Sequence, residues 1–444
     1  MLGFAALTPT YAAIAYRASA LLADSGAPSH AGRMRLLYTA LLYLITPLVL
    51  LRLLWRSRDL ADYRRRWNER FGFVAPADEG VAVWVHAVSV GESLAALPLI
   101  RELIARHGER SVWVTTTTPT GSARVIAALG ERVRHSYAPY DLPGAVSRFL
   151  RRTAPRQVVV METELWPNLF HQLGKLGIPL IVANARLSPR SMRGYSKVRG
   201  FAAATLAHCR VAAQSPEDAE RFKALGAQRV SVMGNIKFDQ AVPDAQLAAG
   251  SELRRRIGPR AVWIAASTHE GEEEALLKAH VELRRHQSDA LLILVPRHPQ
   301  RFDAAARSIE RASLSYVRRS SNADPANAAV LLGDSMGEIF LYYAASDVAF
   351  VGGSLMPIGG HNVLEPAAIG LPVVFGPHMH NFLPARDLLI ERDAAIQVEA
   401  ETALAPTIHR LLGDTALRTR MGEAGRAAIS ANRGALQRLL QLLA

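Results

Sequence analysis

The chain has 444 residues, which is too long for one ordinary domain and suits two. Half of the residues are hydrophobic, which excludes a disordered chain. The single cysteine, Cys209, excludes an intramolecular disulfide and argues against a structural zinc site. The formal net charge of +13 favours an anionic partner, which could be nucleic acid, a phosphate-bearing substrate or the anionic face of a membrane.

Residues 1–33 differ in composition from the rest of the chain. They make a poor signal peptide, because Tyr16 and Arg17 interrupt their apolar run. We therefore interpret them as an extension, with Met34 as an alternative start of the protein.

The segment 34–58 is predicted to be a membrane-anchor helix. Its apolar run is about as long as the ~20 residues that a helix needs to cross a bilayer, and arginines flank it on both sides. The denser basic cluster lies downstream, which predicts that the bulk of the protein is on the cytoplasmic side. Pro47 and Arg52 leave open a helix that lies flat in the membrane interface, and a buried core helix is the structural alternative.

After Phe71, apolar strand patterns alternate with helical patterns, which is typical of right-handed βαβ units and parallel sheets. The strands predicted in the first half are 81–88, 112–117, 158–161, 180–183, 211–214 and 231–233. Those predicted in the second half are 262–266, 291–295, 329–332, 348–351 and 372–375. We predict an α/β protein with one Rossmann-like domain over 59–240, a linker over 241–260 and a second Rossmann-like domain, with C-terminal helices, over 261–444. The two domains are expected to face each other across a cleft.

Glu92 lies where the first predicted strand turns into a helix. Ligands of open α/β sheets collect at the carboxyl ends of the strands, so a carboxylate at this turn is well placed for chemistry. The structural alternative is strong, because Ser89-Val-Gly91-Glu92 also has the S-x-x-E form of a capping box.

Three more strand ends of the first domain carry charged residues. Glu162 and Glu164 follow the strand 158–161, and two carboxylates at a strand end are costly to bury without partners. Arg186 follows the next strand and could pair with Glu162 or hold a substrate anion. Lys237, after the sixth strand, is a candidate to neutralise charge that develops in a transition state.

In the second domain, three strand-to-helix turns place Ser, Asn or Gly ahead of a Glu: 267–272, 335–338 and 359–365. They could be ordinary helix caps, or helix amino-termini that bind an anion. Arg297 adds a cation after a strand, suited to a phosphate or carboxylate. The sequence has no Walker A loop, no G-x-G-x-x-G, no H-E-x-x-H and no Asp-x-Asp pair, so a metal-free site is expected.

Taken together, these motifs resemble one family, the 3-deoxy-D-manno-octulosonic acid (Kdo) transferases of lipopolysaccharide synthesis. The resemblance runs from about Met34 to near the C-terminus, and the motifs occur in the family's order. The segments that carry it are HAVSVGE, METELWPN, NARLSPRSMRGYSK, GNIKFD, ASTHEGEE, LVPRHPQRF, GDSMGE and VGGSLMPIGGHNVLEPAAIGLPVVFGPHMHNF.

The resemblance implies a glycosyltransferase of the GT-B fold, anchored by its N-terminus to the cytoplasmic face of the inner membrane. Such an enzyme transfers Kdo from CMP-Kdo to the lipid A precursor lipid IVA, inverting the anomeric centre without a metal or other cofactor. Nucleic acid is not among its partners.

The family's functional residues map onto this chain without a departure in the motifs. Glu92 corresponds to the general base, and Glu162 and Lys237 to residues that stabilise the transition state. The CMP-binding segments correspond to Pro296, Arg297, Met336, Gly337, Glu338, Asn362, Val363, Leu364 and Glu365. Further candidates for substrate binding are Ser89, Gly91, Glu164, Arg186, Ser267, His269, Gly360 and His361.

Two alternatives compete with this interpretation. The nearer one is another GT-B enzyme, a nucleotide-sugar transferase or epimerase. The other is a basic membrane-tethered binding protein for RNA or acidic lipid, although aromatic residues, at 7%, are sparse for a single-strand binder.

Overall fold

The computed structural model of the protein describes residues 30–58, 61–77, 79–239 and 242–444. Two compact units divide the chain. The first unit is formed by two segments, the chain up to Asp239 and the C-terminal residues Arg433–Ala444. The second unit is Gln240–Asn432. Each unit is built on one parallel sheet of seven strands.

The sheet of the first unit has the strand order β3-β2-β1-β4-β5-β6-β7. All neighbouring strands pair in parallel. Its strands are β1 (Val81–His86), β2 (Val112–Thr116), β3 (Arg134–Tyr137), β4 (Pro155–Met161), β5 (Leu180–Ala185), β6 (Cys209–Ala213) and β7 (Arg229–Val232).

Helices precede and connect these strands. They are α1 (His30–Arg56), α2 (Val90–His107), α3 (Pro119–Leu129), α4 (Pro143–Thr153), α5 (Pro167–Leu176), α6 (Pro189–Ser196), α7 (Arg199–Leu206) and α8 (Pro216–Ala224). Five of them begin at a proline, whose fixed φ suits the first helical turn and whose missing N–H has no partner there in any case. Serine or threonine side chains cap α2, α3, α6 and α8.

The second unit repeats the plan with the strand order β10-β11-β9-β8-β12-β13-β14. Its strands are β8 (Val262–Thr268), β9 (Leu291–Pro296), β10 (Tyr316–Arg318), β11 (Val330–Leu332), β12 (Val348–Val351), β13 (Val373–Phe375) and β14 (Ala395–Gln397). Its helices are α9 (Asp244–Ile257), α10 (Glu272–Arg284), α11 (Phe302–Arg311), α12 (Ile339–Ala344), α13 (Leu364–Ala368), α14 (Leu383–Glu391), α15 (Leu404–Gly413) and α16 (Thr415–Ala431).

Each sheet is buried on both faces, which explains why its central strands are almost continuously apolar. Within β1, Trp84 packs into the core on one face of the sheet, whereas Val83 and Val85 pack into the core on the other face. Within β8, Trp263 and Ile264 divide in the same way.

Helix α1 packs one side against the first unit. Met34, Tyr38 and Leu53 are buried there. The Tyr38 hydroxyl donates to Asp141 Oδ2 at 3.0 Å, and the Thr39 hydroxyl donates to Asn168 Oδ1 at 3.0 Å. The other side exposes a continuous apolar surface made by Leu36, Tyr43, Leu44, Leu48, Leu51, Leu54 and Trp55. Among the described residues, α1 is the one helix that is long and apolar enough to cross a membrane.

The structure departs from the sequence prediction at the linker. The range 241–260 contains the 14-residue helix α9, whose Leu253 and Ile257 are buried in a core of the second unit. The polar, Pro- and Gly-containing composition hid this helix, because only one narrow face of it is apolar.

The C-terminal segment also departs from the prediction, because its last helix, α17 (Ala435–Leu442), belongs to the first unit. Leu439 and Leu440 are buried in that unit's core. The carboxylate of Asp239 accepts the backbone N–H groups of Gly434 at 2.6 Å and Leu436 at 2.5 Å, which fixes the start of the helix.

Candidate active site

The charged residues of the first unit meet at its topological switch point. Strand β1 lies between β2 and β4: the chain runs outward from β1 through β2 to β3 and then crosses back to β4 on the other side of β1. Glu92 follows β1 and Glu162 follows β4, so both lie at the carboxyl end of the central strand pair. This is where open α/β sheets bind their ligands.

Glu92 is a buried carboxyl group, only 6% exposed. Its Oε2 accepts the Val88 N–H at 2.8 Å, and its own N–H donates to the Ser89 hydroxyl at 3.2 Å. Burial, together with the negative charges of Glu162 and Glu164, raises the pKa of Glu92 to about 8. Glu92 therefore makes the hydrogen bonds of a capping box. A carboxyl group that served only as a cap would not need a raised pKa, so capping alone does not account for Glu92.

Glu162 and Lys237 form an ion pair at the same edge. Lys237 Nζ lies 3.7 Å from Glu162 Oε1, and each side chain is about one third exposed, so the pair is accessible to a substrate. The backbone of Glu162 adopts φ 57°, a left-handed conformation that is uncommon for a residue with a side chain and that concentrates at functional sites. The expected alternative pair of Glu162 with Arg186 is not formed, because Arg186 points outward as an exposed side chain.

Glu164 is the third carboxyl group of this cluster. Trp166 Nε1 donates to its Oε2 at 3.0 Å. Burial, and to a lesser degree the charge of Glu162, raises the pKa of Glu164 to about 7. Three carboxyl groups at one strand edge, two of them with raised pKa values, give the site a group that is able to accept a proton near neutral pH.

Asn184 positions the loop that carries Lys237, a role that the sequence analysis did not assign. Asn184 is fully buried with φ 54°, and its Oδ1 accepts the Ile236 N–H at 3.1 Å. Its backbone carbonyl accepts Gln214 Nε2 at 2.9 Å. The sequence signal that could have indicated this role is its position at the end of β5, as the first residue of the motif NARLSPRSMRGYSK.

Ser89 and Gly91 lie at the start of α2, beside Glu92, and their role in substrate binding stays a prediction. A Cβ on Gly91 would lie 3.8 Å from Ser89 Oγ, an ordinary contact, so space does not require glycine there. The Ser89 side chain acts as the N-cap of α2.

The candidate residues of the second unit also collect at the carboxyl edge of its sheet. Ser267 lies within β8, next to its last residue Thr268, and His269 follows that strand. Pro296 ends β9, and Arg297 follows it. The Arg297 N–H donates to the Thr268 carbonyl at 2.9 Å, which ties the two strand ends together. Ser267 adopts φ 58°, a second left-handed residue at a strand end.

Three histidines and Arg297 lie together at this edge, and we call them the His–Arg cluster. His269 Nε2 and His361 Nε2 lie 2.7 Å apart, and the His298 ring contacts the His269 ring edge-on at 5.4 Å. Burial, then the neighbouring His269, Arg297 and His298, lowers the pKa of His361 to about 3. Because one of the two nitrogens must accept the hydrogen bond, the pair holds at least one neutral imidazole, which can donate to an anion without carrying a charge.

The other candidates of the second unit contact one another rather than forming long helix amino-termini. Glu338 accepts the Ser335 hydroxyl at 2.5 Å and pairs with Arg319 at 3.1 Å. Asn362 Nδ2 donates to Glu365 Oε1 at 3.1 Å. The helices that follow, α12 and α13, have only 6 and 5 residues, and neither has a side-chain N-cap. Side chains, more than helix dipoles, thus provide the polar groups here.

The remaining predicted residues lie in these same turns. Met336 is half exposed, and Gly337 has φ 83°. Gly360 has φ 75° and its N–H donates to the Gly353 carbonyl at 2.7 Å, so it holds the turn against the end of β12. Val363 and Leu364 are buried beneath the turn.

Glu272, which the sequence analysis did not single out, organises the loop after β12. It is fully buried, and its carboxylate accepts the N–H groups of Gly353, Ser354 and Leu355 at 2.7 to 2.9 Å. The His269 N–H is a fourth donor at 3.1 Å. Its position, five residues past Ser267 in the same turn, was the only sequence signal.

Comparison with known proteins places the chain in a family. Residues 65–240 match the family model described as 3-deoxy-D-manno-octulosonic-acid transferase (kdotransferase). A 3-deoxy-D-manno-octulosonic acid transferase of Haemophilus influenzae is 43% identical over 92% of this chain and 98% of its own length. The protein of that name from Bordetella pertussis is 41% identical over 91% of this chain and 98% of its length.

A solved glycosyltransferase from Rickettsia africae has the same fold. It covers 82% of this chain and 98% of its own, with a TM-score of 0.53 at 13% sequence identity. At that identity the likeness concerns the fold alone, and it agrees with the GT-B class expected from the sequence.

Proposed function

Because the chain belongs to the Kdo transferase family, it is a glycosyltransferase, and we propose that it transfers Kdo from CMP-Kdo to lipid IVA. The transfer inverts the anomeric centre and needs no metal. The observation that carries the proposal is the buried carboxyl group of Glu92, with a pKa near 8, beside Glu162 and Lys237 at the switch point of the first sheet.

Glu92 acts as the general base. As the acceptor hydroxyl attacks the anomeric carbon of Kdo, a new carbon–oxygen bond forms and the bond from that carbon to the CMP phosphate oxygen breaks. The hydroxyl proton passes to Glu92 and CMP leaves with the bonding electrons. A raised pKa keeps Glu92 a strong enough base to accept this proton near the working pH.

Lys237 and Glu162 supply opposite charges beside this event. The sugar gains positive character in the transition state and the departing phosphate gains negative charge. A carboxylate and an ammonium group held 3.7 Å apart can stabilise both without reorganising, since each is already positioned by its partner.

The His–Arg cluster of the second unit is the proposed CMP subsite. Arg297 and the paired His269 and His361 face the single phosphate of a CMP-sugar. One phosphate carries less charge than a diphosphate, so cationic and neutral donors suffice to bind it without a metal. Met336 to Glu338 and Asn362 to Glu365 complete this subsite on the neighbouring turns.

Helix α1 is proposed to hold the enzyme on the cytoplasmic face of the inner membrane. Its Tyr38 and Leu53 are buried against the first unit, while its opposite face remains apolar and exposed. A helix held along a domain in this way favours a position in the membrane interface over a span that leaves the domain. The arginines around it suit the phosphates of the headgroups.

Detergent-solubilised protein with CMP-Kdo and lipid IVA provides the test. We expect CMP release together with a product heavier by one or more Kdo units. Turnover of a UDP-sugar with no consumption of CMP-Kdo would point to another GT-B reaction. Lipid binding without any turnover would point to a binding protein, and either result overturns the proposal.

A further inference from the structure

A cavity lies within the first unit, between α1 and the carboxyl edge of the sheet, and we call it the α1 cavity. Its volume is about 110 Å³, against roughly 10–15 Å³ for one water on a comparable measure. The wall formed by α1 is mainly apolar and includes Leu42, Ile45 and Val49. The opposite wall includes Val88, whose N–H binds Glu92, and Glu164, so the cavity adjoins the carboxyl cluster.

Arg70 lines this cavity as a buried cation. Its side chain belongs to a residue only 3% exposed, and its Nη2 donates to the Thr117 carbonyl at 3.0 Å. The guanidinium lies 4.1 Å from the centre of the Tyr137 ring. Its Nε is buried and has no hydrogen-bond partner among the residues that the structure describes. Across residues 30–58, 61–77, 79–239 and 242–444, no carboxylate forms an ion pair with Arg70.

The carboxyl groups on the cavity wall have other partners. Asp141 accepts the Tyr38 hydroxyl and the N–H groups of Asn168 and Leu169 at 2.7 to 3.0 Å. Glu164 accepts the indole N–H of Trp166. A buried guanidinium without a counter-ion is unfavourable, so the cavity is suited to a ligand that brings a negative charge with it.

We propose that Arg70 binds a phosphate group of the lipid acceptor, with the adjoining hydrocarbon against Leu42, Ile45 and Val49 of α1. This inference rests on the proposed function for the identity of the ligand. The chemistry that it recognises is a phosphate monoester next to an apolar chain. A guanidinium fits such a phosphate through two parallel N–H bonds, and the apolar wall fits the neighbouring hydrocarbon.

A purely structural role for Arg70 makes a different prediction. Arg70 holds the Thr117 carbonyl, the Thr117 hydroxyl donates to the Val88 carbonyl at 2.9 Å, and the Val88 N–H donates to Glu92. Loss of this chain would disturb Glu92 for every acceptor alike. A phosphate-binding role instead affects only acceptors that carry phosphate.

The test compares the affinity of the solubilised protein for lipid IVA and for the same lipid without its phosphates, by calorimetric titration. Wild type should bind the phosphorylated lipid on the order of 10- to 100-fold more tightly, the range of a charge-assisted hydrogen-bonded contact. In Arg70→Gln this ratio should fall close to one. Arg66→Gln is the matched control, since Arg66 lies over the same Tyr137 ring, 4.9 Å away, but is paired with Glu69.

A second pair of variants keeps Arg70 in place, in case its replacement prevents folding. Thr46 lines the cavity from α1. Within the described part of the chain, its hydroxyl donates only to the Leu42 carbonyl of its own helix. Thr46→Glu brings a carboxylate that competes for Arg70 and should reduce the phosphate preference at least tenfold, while Thr46→Gln, of the same size, should retain more of it.

Four results would overturn the inference. The first three are equal affinity of wild type for both lipids, an unchanged ratio in Arg70→Gln, and equal ratios in Thr46→Glu and Thr46→Gln. The fourth is a loss of affinity of Arg70→Gln for CMP-Kdo alone, because Arg70 would then bind the phosphate of the donor and not that of the lipid. Because binding is measured without turnover, failure of the transferase reaction itself is detected separately, by CMP release.

Discussion

The pH dependence of turnover tests the burial of Glu92. If this residue accepts the proton in the rate-determining step, kcat/KM for the acceptor follows the ionised fraction of the free enzyme's base. With a pKa of about 8, that fraction is about 9% at pH 7, 50% at pH 8 and 91% at pH 9. We therefore expect kcat/KM to rise about fivefold between pH 7 and pH 8 and by less than twofold between pH 8 and pH 9.

The sign follows from the cause of the shift. Burial and the charges of Glu162 and Glu164 disfavour the ionised form, so the active base accumulates only as the pH rises. Glu164→Gln removes one of these charges and should move the rising limb to lower pH. Since the carboxyl groups interact, the measured pKa belongs to the cluster as a whole.

The assay is the initial rate of CMP release at subsaturating lipid acceptor, from pH 6 to pH 9, with the melting temperature recorded at each pH. A flat profile over this range would mean that Glu92 ionises near its ordinary pKa. A rate that falls as the pH rises from 7 to 9 would contradict a carboxylate base altogether.

Two further predictions concern the second unit and α1. A Cβ on Gly352 would lie 2.7 Å from the Ser267 carbonyl oxygen, so Gly352→Ala should cost about 1–3 kcal/mol and weaken CMP binding. Calorimetric titration with CMP measures this, and Gly91→Ala, whose Cβ would make only an ordinary 3.8 Å contact with Ser89 Oγ, should leave CMP binding unchanged. Replacing the exposed Leu44 and Leu48 of α1 by serine should release the enzyme from vesicles in a flotation assay without lowering its melting temperature. Retention of the serine-substituted enzyme on vesicles would contradict a membrane role for that face of α1.

The central strands could be predicted from the sequence, whereas three of the four edge strands could not. A strand buried on both faces is a continuous apolar run, and β1, β4, β8 and β9 follow that pattern. The strands β3, β10 and β14 were missed, and each lies at an edge of its sheet with only 3 or 4 residues. Such short strands are recognisable mainly through their pairing, which a single sequence does not display.

Candidate residues that follow strands were the predictable part of the site. The carboxyl ends of parallel strands lie at one edge of the sheet. The sequence alone therefore predicts that Glu92, Glu162 and Lys237 lie close together. Arg70 and Asp141 could not be found in this way. Arg70 lies before the first strand in no recognisable motif, and it reaches the site only because its helical turn packs beneath Tyr137.

The pairings between side chains were less predictable than their places. Arg186 was a reasonable partner for Glu162 by position, yet the loop held by Asn184 brings Lys237 to that carboxylate instead. Similarly, His361 pairs with His269 from a different strand end. Such choices depend on loop conformations, including the left-handed residues Glu162 and Asn184, that the sequence pattern does not specify.

The most direct measurement of the central claim separates the base from the helix cap. Glu92→Gln keeps an oxygen that can accept the Val88 N–H, whereas Ser89→Ala removes the hydroxyl that caps the Glu92 N–H. We predict that Glu92→Gln lowers the rate of CMP-Kdo turnover by about 10²- to 10⁴-fold with the fold intact. Ser89→Ala should lower stability by about 1 kcal/mol and leave most of the activity. Similar activities of the two variants would contradict the account and would leave Glu92 as a helix cap.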